Sequence, residues 1–342
     1  MSMTLDASQL PKYATNLGYE VMADAYQPET AIYPRLGRVI PVAAMSDAPY
    51  GHKAVGLVGA GTPTRRRDGQ KVSAQSMGEG YPWQLACEEY ADEIGIPDAL
   101  LEAADAQRRV NSLITEFVTT YSRNAMIQKE TFVAGMFQKG TIAAGNTTYF
   151  DNGYPGNPDS NRGKIYDGKP WFAATGNAHP FKQYTAAGDE GVNLVASLAL
   201  DATALDTAYR AINVTNSLDE RGKRISLTPR KLLVPAILRT TALQLLNSEL
   251  LPGAANNDIN ANRGLVEPII SPYLTDDASA ANTAAWWLGT DDFGLTIVDS
   301  GAPVLTTYRD DSTKTTMIQL AYRFGAAPHD WRMAFAANKA TS

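Results

Sequence analysis

Pro97–Lys139, PDALLEAADAQRRVNSLITEFVTTYSRNAMIQKETFVAGMFQK, is the stretch on which the architecture turns. Pro97 and Asp98 suit a helix start, because the first helical position leaves its N–H unpaired in any case and proline has none to lose. No further proline interrupts the segment. Apolar residues return at Val110, Ile114, Phe117, Tyr121 and Ala125 and again at Phe132 and Met136, with Leu113 and Val118 widening the stripe. The pattern predicts a helix of about forty residues, roughly 60 Å long at about 1.5 Å per residue. A rod of that length outruns a small domain, so either the molecule is elongated or flattened or the helix is broken.

On its N-terminal side lies a segment unlike a globular core. Residues 50–82 hold Gly51, Gly56, Gly59, Gly61, Gly69, Gly78 and Gly80, with the basic residues Arg65, Arg66, Arg67 and Lys71 in the middle. Val55, Leu57 and Val58 on one side and Val72 on the other predict two short strands around the turn-forming pair Asp68-Gly69. Such a hairpin has too few apolar groups to stand alone in water and is expected to rest on something else. Further upstream, Pro11, Pro28, Pro34 and Pro41 predict an irregular arm over residues 1–40.

Downstream, residues 140–192 lose periodicity and are dense in turn formers. Residues 201–214 read as a helix with Leu205, Ala208, Tyr209 and Ile212 on one face, and residues 224–234 read as extended. Pro235 then opens a helix with Ile237, Leu238, Ala242, Leu245 and Leu246 inward. The last ninety residues read as mostly β, and Ile318, Leu320, Tyr322 and Phe324 alternate onto one face of a strand.

Composition narrows the function. The 342 residues are 44% hydrophobic and 19% charged, enough to bury a core, and the formal net charge is −6. A protein that grips DNA by neutralising phosphates carries a basic surplus, which this chain lacks. The one cysteine, Cys87, stands beside Glu88 and Glu89, whose charge disfavours the thiolate, and reads as structural. The N-terminus has no secretory pattern, and no apolar run is long enough to span a bilayer, so a cytoplasm-like compartment is expected. His52, His179 and His329 lie far apart without metal-ligand spacing. Gly56–Gly61 lacks the Lys-Ser/Thr ending of a phosphate loop, and there is no GxSxG elbow. No catalytic, cofactor or metal residues are assigned.

The order of parts resembles the tailed-phage major capsid fold of the Hong Kong type. More specifically, Asp167-Gly168-Lys169-Pro170-Trp171-Phe172 with His179-Pro180, then Leu227-Thr228-Pro229-Arg230-Lys231-Leu232-Leu233-Val234-Pro235, and Trp286-Trp287-Leu288 resemble segments of the Mu-like major head subunit family. Trp171 and the spacing from Phe172 to His179 depart from that family's pattern. The resemblance implies an α+β chain with an N-terminal arm (1–45), an extended β-hairpin loop (46–84), a peripheral domain (85–192) with a spine helix at about 97–139, an axial α/β domain (193–315) and return strands to the peripheral domain (316–342).

It also implies self-assembly into hexamers and pentamers around phage double-stranded DNA. The extended loop would lie across a neighbouring subunit in the virion, with assembly in the host cytoplasm. Arg65, Arg66, Arg67 and Lys71 would then meet Glu88, Glu89, Asp92 and Glu93 of an adjacent copy; the alternative is a solvated loop tip. DNA would be touched weakly, since a shell that is not strongly basic lets packaged DNA slide. The short stretch ahead of the loop suggests a separate scaffolding protein, beside a portal and a possible decoration protein. Competing readings are an encapsulin-type nanocompartment shell, another virion component, and a soluble hydrolase or binding protein using its carboxylates and Trp286-Trp287.

Overall fold

The computed structural model describes residues 10–27, 30–45, 51–58, 78–102, 105–140, 165–181, 190–219, 223–250, 259–274 and 285–339. Its first half contains α1 (Leu10–Ala25), β1 (Arg38–Pro41), β2 (Gly51–Val58), β3 (Gly78–Ala86), β4 (Glu88–Pro97), α2 (Ala106–Lys139), β5 (His179–Pro180), β6 (Glu190–Gly191) and β7 (Leu194–Val195). The second half contains α3 (Ala202–Arg210), β8 (Lys231–Pro235), α4 (Arg239–Asn247), β9 (Glu267–Ser271), β10 (Trp286–Gly289), β11 (Leu295–Asp299), β12 (Val304–Asp310), β13 (Thr315–Pro328) and β14 (Ala334–Ala337).

The long helix is present but starts at Ala106 rather than Pro97. Residues 88–97 are drawn into a ten-residue antiparallel ladder with β13, and a 3-10 turn over Asp98–Glu102 separates strand from helix. Its 34 residues make a rod of about 50 Å. Val110, Ile114, Val118, Ala125, Val133, Met136 and Phe137 form its buried stripe, while Leu113 is exposed.

The expectation of an irregular arm is corrected by α1. Pro11 falls in its first turn, where proline costs nothing, and Leu10, Ala14, Gly18 and Met22 bury at four-residue spacing against α2 and β12. Two of those four residues are too small to register as an apolar signal. The helix expected from Pro235 also differs at its start: Ala236–Leu238 is a 3-10 turn, and Ile237 is 67% exposed rather than inward.

One five-stranded sheet is built on β13. β12 and then β11 pair along one of its edges, β4 pairs along the other, and β1 adds in parallel to β11. The expected alternation holds, with Ile318, Leu320, Tyr322 and Phe324 all buried. A second five-stranded sheet runs β7-β14-β10-β8-β9. Both of its faces are covered, so β10 and β14 are buried at every residue. Leu232, Val234, Trp286, Leu288 and Phe335 face α3 and α4, whereas Leu233, Trp287, Ala334 and Ala336 face the core shared with α2 and the first sheet. Phe137, near the C-terminal end of α2, joins the two halves by packing on Trp171, Trp287 and Phe293.

The sheets cut across the expected boundary between residues 315 and 316. β11 and β12 lie in the first sheet, because the β12–β13 hairpin keeps 304–321 in one ladder, and β14 lies in the second. Among the described residues β2 and β3 pair only with each other, from Gly51–Ala86 to Val58–Gly78, with a register shift between Val55 and Leu57.

Candidate inter-subunit surface and buried polar centres

Of the eight residues expected at the subunit contact, Arg65, Arg66, Arg67 and Lys71 lie outside the described residues. Glu88, Glu89, Asp92 and Glu93 all lie exposed on β4, but strand alternation splits them between two faces. Glu89 and Glu93 share the face turned away from α2. There Glu89 takes two hydrogen bonds from the Arg323 guanidinium, at 2.6 and 2.8 Å, and Glu93 accepts one from the Tyr308 hydroxyl at 2.9 Å. Glu88 and Asp92 point to the α2 side with Tyr90, Ile94 and Ile96. Glu88 accepts from the Tyr90 hydroxyl at 3.2 Å, and Asp92 lines an open groove against the helix. Among the described residues the quartet is therefore not one acidic patch: Glu89 already has a cation and Asp92 does not.

Cys87 is buried at the joint between β3 and β4. Burial, more than neighbouring carboxylates, pushes its thiol up to about 11, which suits a packing role. The histidines separate. His179 is fully buried, its Nδ1 2.6 Å from the equally buried carboxylate of Asp167, and its ring stacks on Trp331 at 4.4 Å. The Asp167–Phe172 segment and His179 thus meet in space as a structural knot: Asp167 also accepts from the Lys169 N–H, while Trp171 and Phe172 fill the core beneath. His329 lies near Asp292, and burial holds its pKa below the usual histidine value.

The sequence reading missed the other polar centre. Lys129 of α2 is fully buried, and its Nζ donates to Asp299 at 2.7 Å, the Gly301 carbonyl at 2.8 Å and the Tyr26 hydroxyl at 3.0 Å. The rings of Tyr26 and Tyr322 lie about the ammonium, with centroids 5.3 and 5.0 Å away, and Tyr33 donates its hydroxyl to the same Asp299 carboxylate. The next residue, Glu130, is buried without a cationic partner among the described residues. Its carboxylate accepts the backbone N–H groups of Ile32 and Tyr33, and desolvation raises its pKa despite those bonds. One turn of α2 thereby ties α1, the 32–36 segment and the β11–β12 turn together.

These centres are braces between elements, and the class of protein is shown by the sequence family. The chain belongs to the phage capsid protein family, whose model matches residues 101–337, well over half of its length. It is an α+β phage capsid protein, a structural component of the shell and so of the virion. The match is to this broad family and does not single out the Mu-like head subunits, and it does not favour the nanocompartment reading.

Solved structures of low identity overlay loosely. A subunit of the bacteriophage PhiM1 mature capsid is 13% identical, with 90% of this chain and 86% of that one covered at a TM-score of 0.49. A structure from Mycobacterium phage Patience is 11% identical, covering 100% and 90% at 0.48. A phage-related protein of Bordetella bronchiseptica RB50 is 16% identical, covering 96% and 98% at 0.45. The family assignment rests on the sequence match. No curated protein sequence matches the chain. Among the described residues no helix is long and apolar enough to cross a membrane, and no group of three or more metal-ligating side chains gathers.

Proposed function

We propose that the chain is the repeating subunit of an icosahedral head of the Hong Kong type, assembling as hexamers and pentamers around double-stranded DNA. The family match carries this reading, and the β2–β3 ribbon supports it. A two-stranded ribbon that pairs with no other strand among the described residues gains stability by lying on another surface, and a neighbouring subunit would provide one. In this scheme α1 and β1 form the arm (1–45), β2 and β3 the extended loop (46–84), and β4 and α2 the frame of the peripheral domain (85–192). The axial domain (193–315) keeps α3, α4 and β7–β10, while β11 and β12 side with the peripheral sheet and β14 with the axial one.

The subunit acts by packing rather than by catalysis. A scaffolding protein, a portal and a decoration protein are its further proposed partners, with assembly in the host cytoplasm. The net charge of −6 favours weak, non-specific contact with the packaged DNA.

Sizing and negative-stain electron microscopy of the protein, expressed alone and with its neighbouring head genes, test the reading. Closed shells, capsomer rings or tubes of uniform width are expected. A monomer that stays inert at high concentration and on co-expression would overturn it.

A further inference from the structure

The groove between β4 and α2 is open, about 370 Å³, and lined by Asp92 and Ile94 from the strand and Leu113, Glu116, Phe117 and Tyr121 from the helix. Asp92 and Glu116 come from different elements and flank two aromatic rings whose centroids are 6.0 Å apart. Asp92 spends one oxygen on the Glu93 N–H at 2.9 Å, and among the described residues neither it nor Glu116 pairs with a cation. The Tyr121 hydroxyl is committed to the Tyr90 carbonyl, at 3.0 Å, which fixes that ring as a wall.

Carboxylates beside aromatic faces suit a guanidinium better than an ammonium, because the guanidinium is planar, weakly hydrated and able to stack while its edge donates hydrogen bonds. Glu89 and Glu93 offer no such place: Arg323 and Tyr308 already hold them, on the opposite face of the sheet.

We propose that this groove receives an arginine from the Arg65–Arg67 run of a second copy of the chain. The proposal rests on the shell reading and narrows it to one receiving site, with Glu116 in place of Glu88, Glu89 and Glu93. Charge complementarity selects the occupant, and the shell reading supplies the second copy, across which the β2–β3 ribbon would lie.

The test is binding of a labelled peptide with the sequence of residues 62–72 to the full chain carrying Arg65→Ser, Arg66→Ser and Arg67→Ser, which needs no shell to form. Salt-sensitive binding is expected, weakened about tenfold by Asp92→Lys with Glu116→Lys, which turns two attractions into two repulsions. The matched reversal Glu20→Lys with Asp24→Lys on α1 should leave it unchanged. A peptide with lysine at 65–67 should bind more weakly. No binding, or equal loss with both double reversals, overturns the groove. Peptide binding as expected from a chain that never assembles would instead overturn the shell reading and keep the site. In the wild-type background, shells that form with unchanged salt tolerance despite Asp92→Lys and Glu116→Lys also count against the groove.

Discussion

Lys129 stands where the apolar stripe of α2 calls for a hydrophobic side chain, four residues after Ala125 and four before Val133. That position was the one sign in the sequence that a lysine here turns inward; its partner Asp299 is 170 residues away and carries no local signal. Replacing it with methionine leaves the Asp299 carboxylate without its cation. Lys129→Met is expected to cost about 3–5 kcal/mol in urea unfolding of the unassembled protein, and adding Asp299→Asn should return part of that loss. A loss under about 1 kcal/mol would mean the pair is not the brace described.

Glu130 predicts a pH effect. Its folded-state pKa lies above the 4.5 of an unburied glutamate, so the folded protein holds this proton more tightly. The group's contribution is fully present below that value and is lost as pH rises through the folded-state pKa. Glu130→Gln should remove this part of the pH slope and match or exceed wild type at pH 7. Glu130→Ala should cost about 1–3 kcal/mol by leaving the Ile32 and Tyr33 N–H groups without an acceptor. Unfolding midpoints across pH 4–8 distinguish these outcomes, and a slope shared by wild type and Glu130→Gln would refute the assignment.

Element by element, what the sequence disclosed depended on whether a segment's partner was near or far in the chain. The α2 stripe, the β13 alternation and the extended run before Pro235 were legible because burial repeats with the element's own period. The start of α2 was misread because Pro97 and Asp98 fit a helix entry, while the claim on residues 88–97 comes from β13, more than 200 residues later. α1 escaped because small residues fill its contact positions: a Cβ at Gly18 would sit 2.3 Å from Leu305 Cδ1.

Gly325 makes a sharper demand, since a Cβ there would fall 1.9 Å from the backbone oxygen of Ala86. No side-chain rotation relieves that clash, so β13 and the β3–β4 joint must part. Gly325→Ala is expected to cost about 1–3 kcal/mol in thermal unfolding and to speed proteolytic cleavage within β3. An unchanged cleavage rate would place the ribbon's anchorage elsewhere.

At the scale of the whole molecule, the class of protein was legible from the order of parts, and the division of labour between the sheets was not. Strand order is set by pairings across the length of the chain, and none of those registers is written locally. One such pairing pattern reaches beyond the finished fold. β13 lies between β4 on one edge and β12 and β11 on the other, and β14 lies between β7 and β10, so residues 315–337 complete both sheets. A ribosome delivers those residues after the rest of both sheets. Until then the nascent chain has neither sheet closed. Synthesis itself thus sets a clock on folding: a chain halted before residue 315 lacks an inner strand of each sheet.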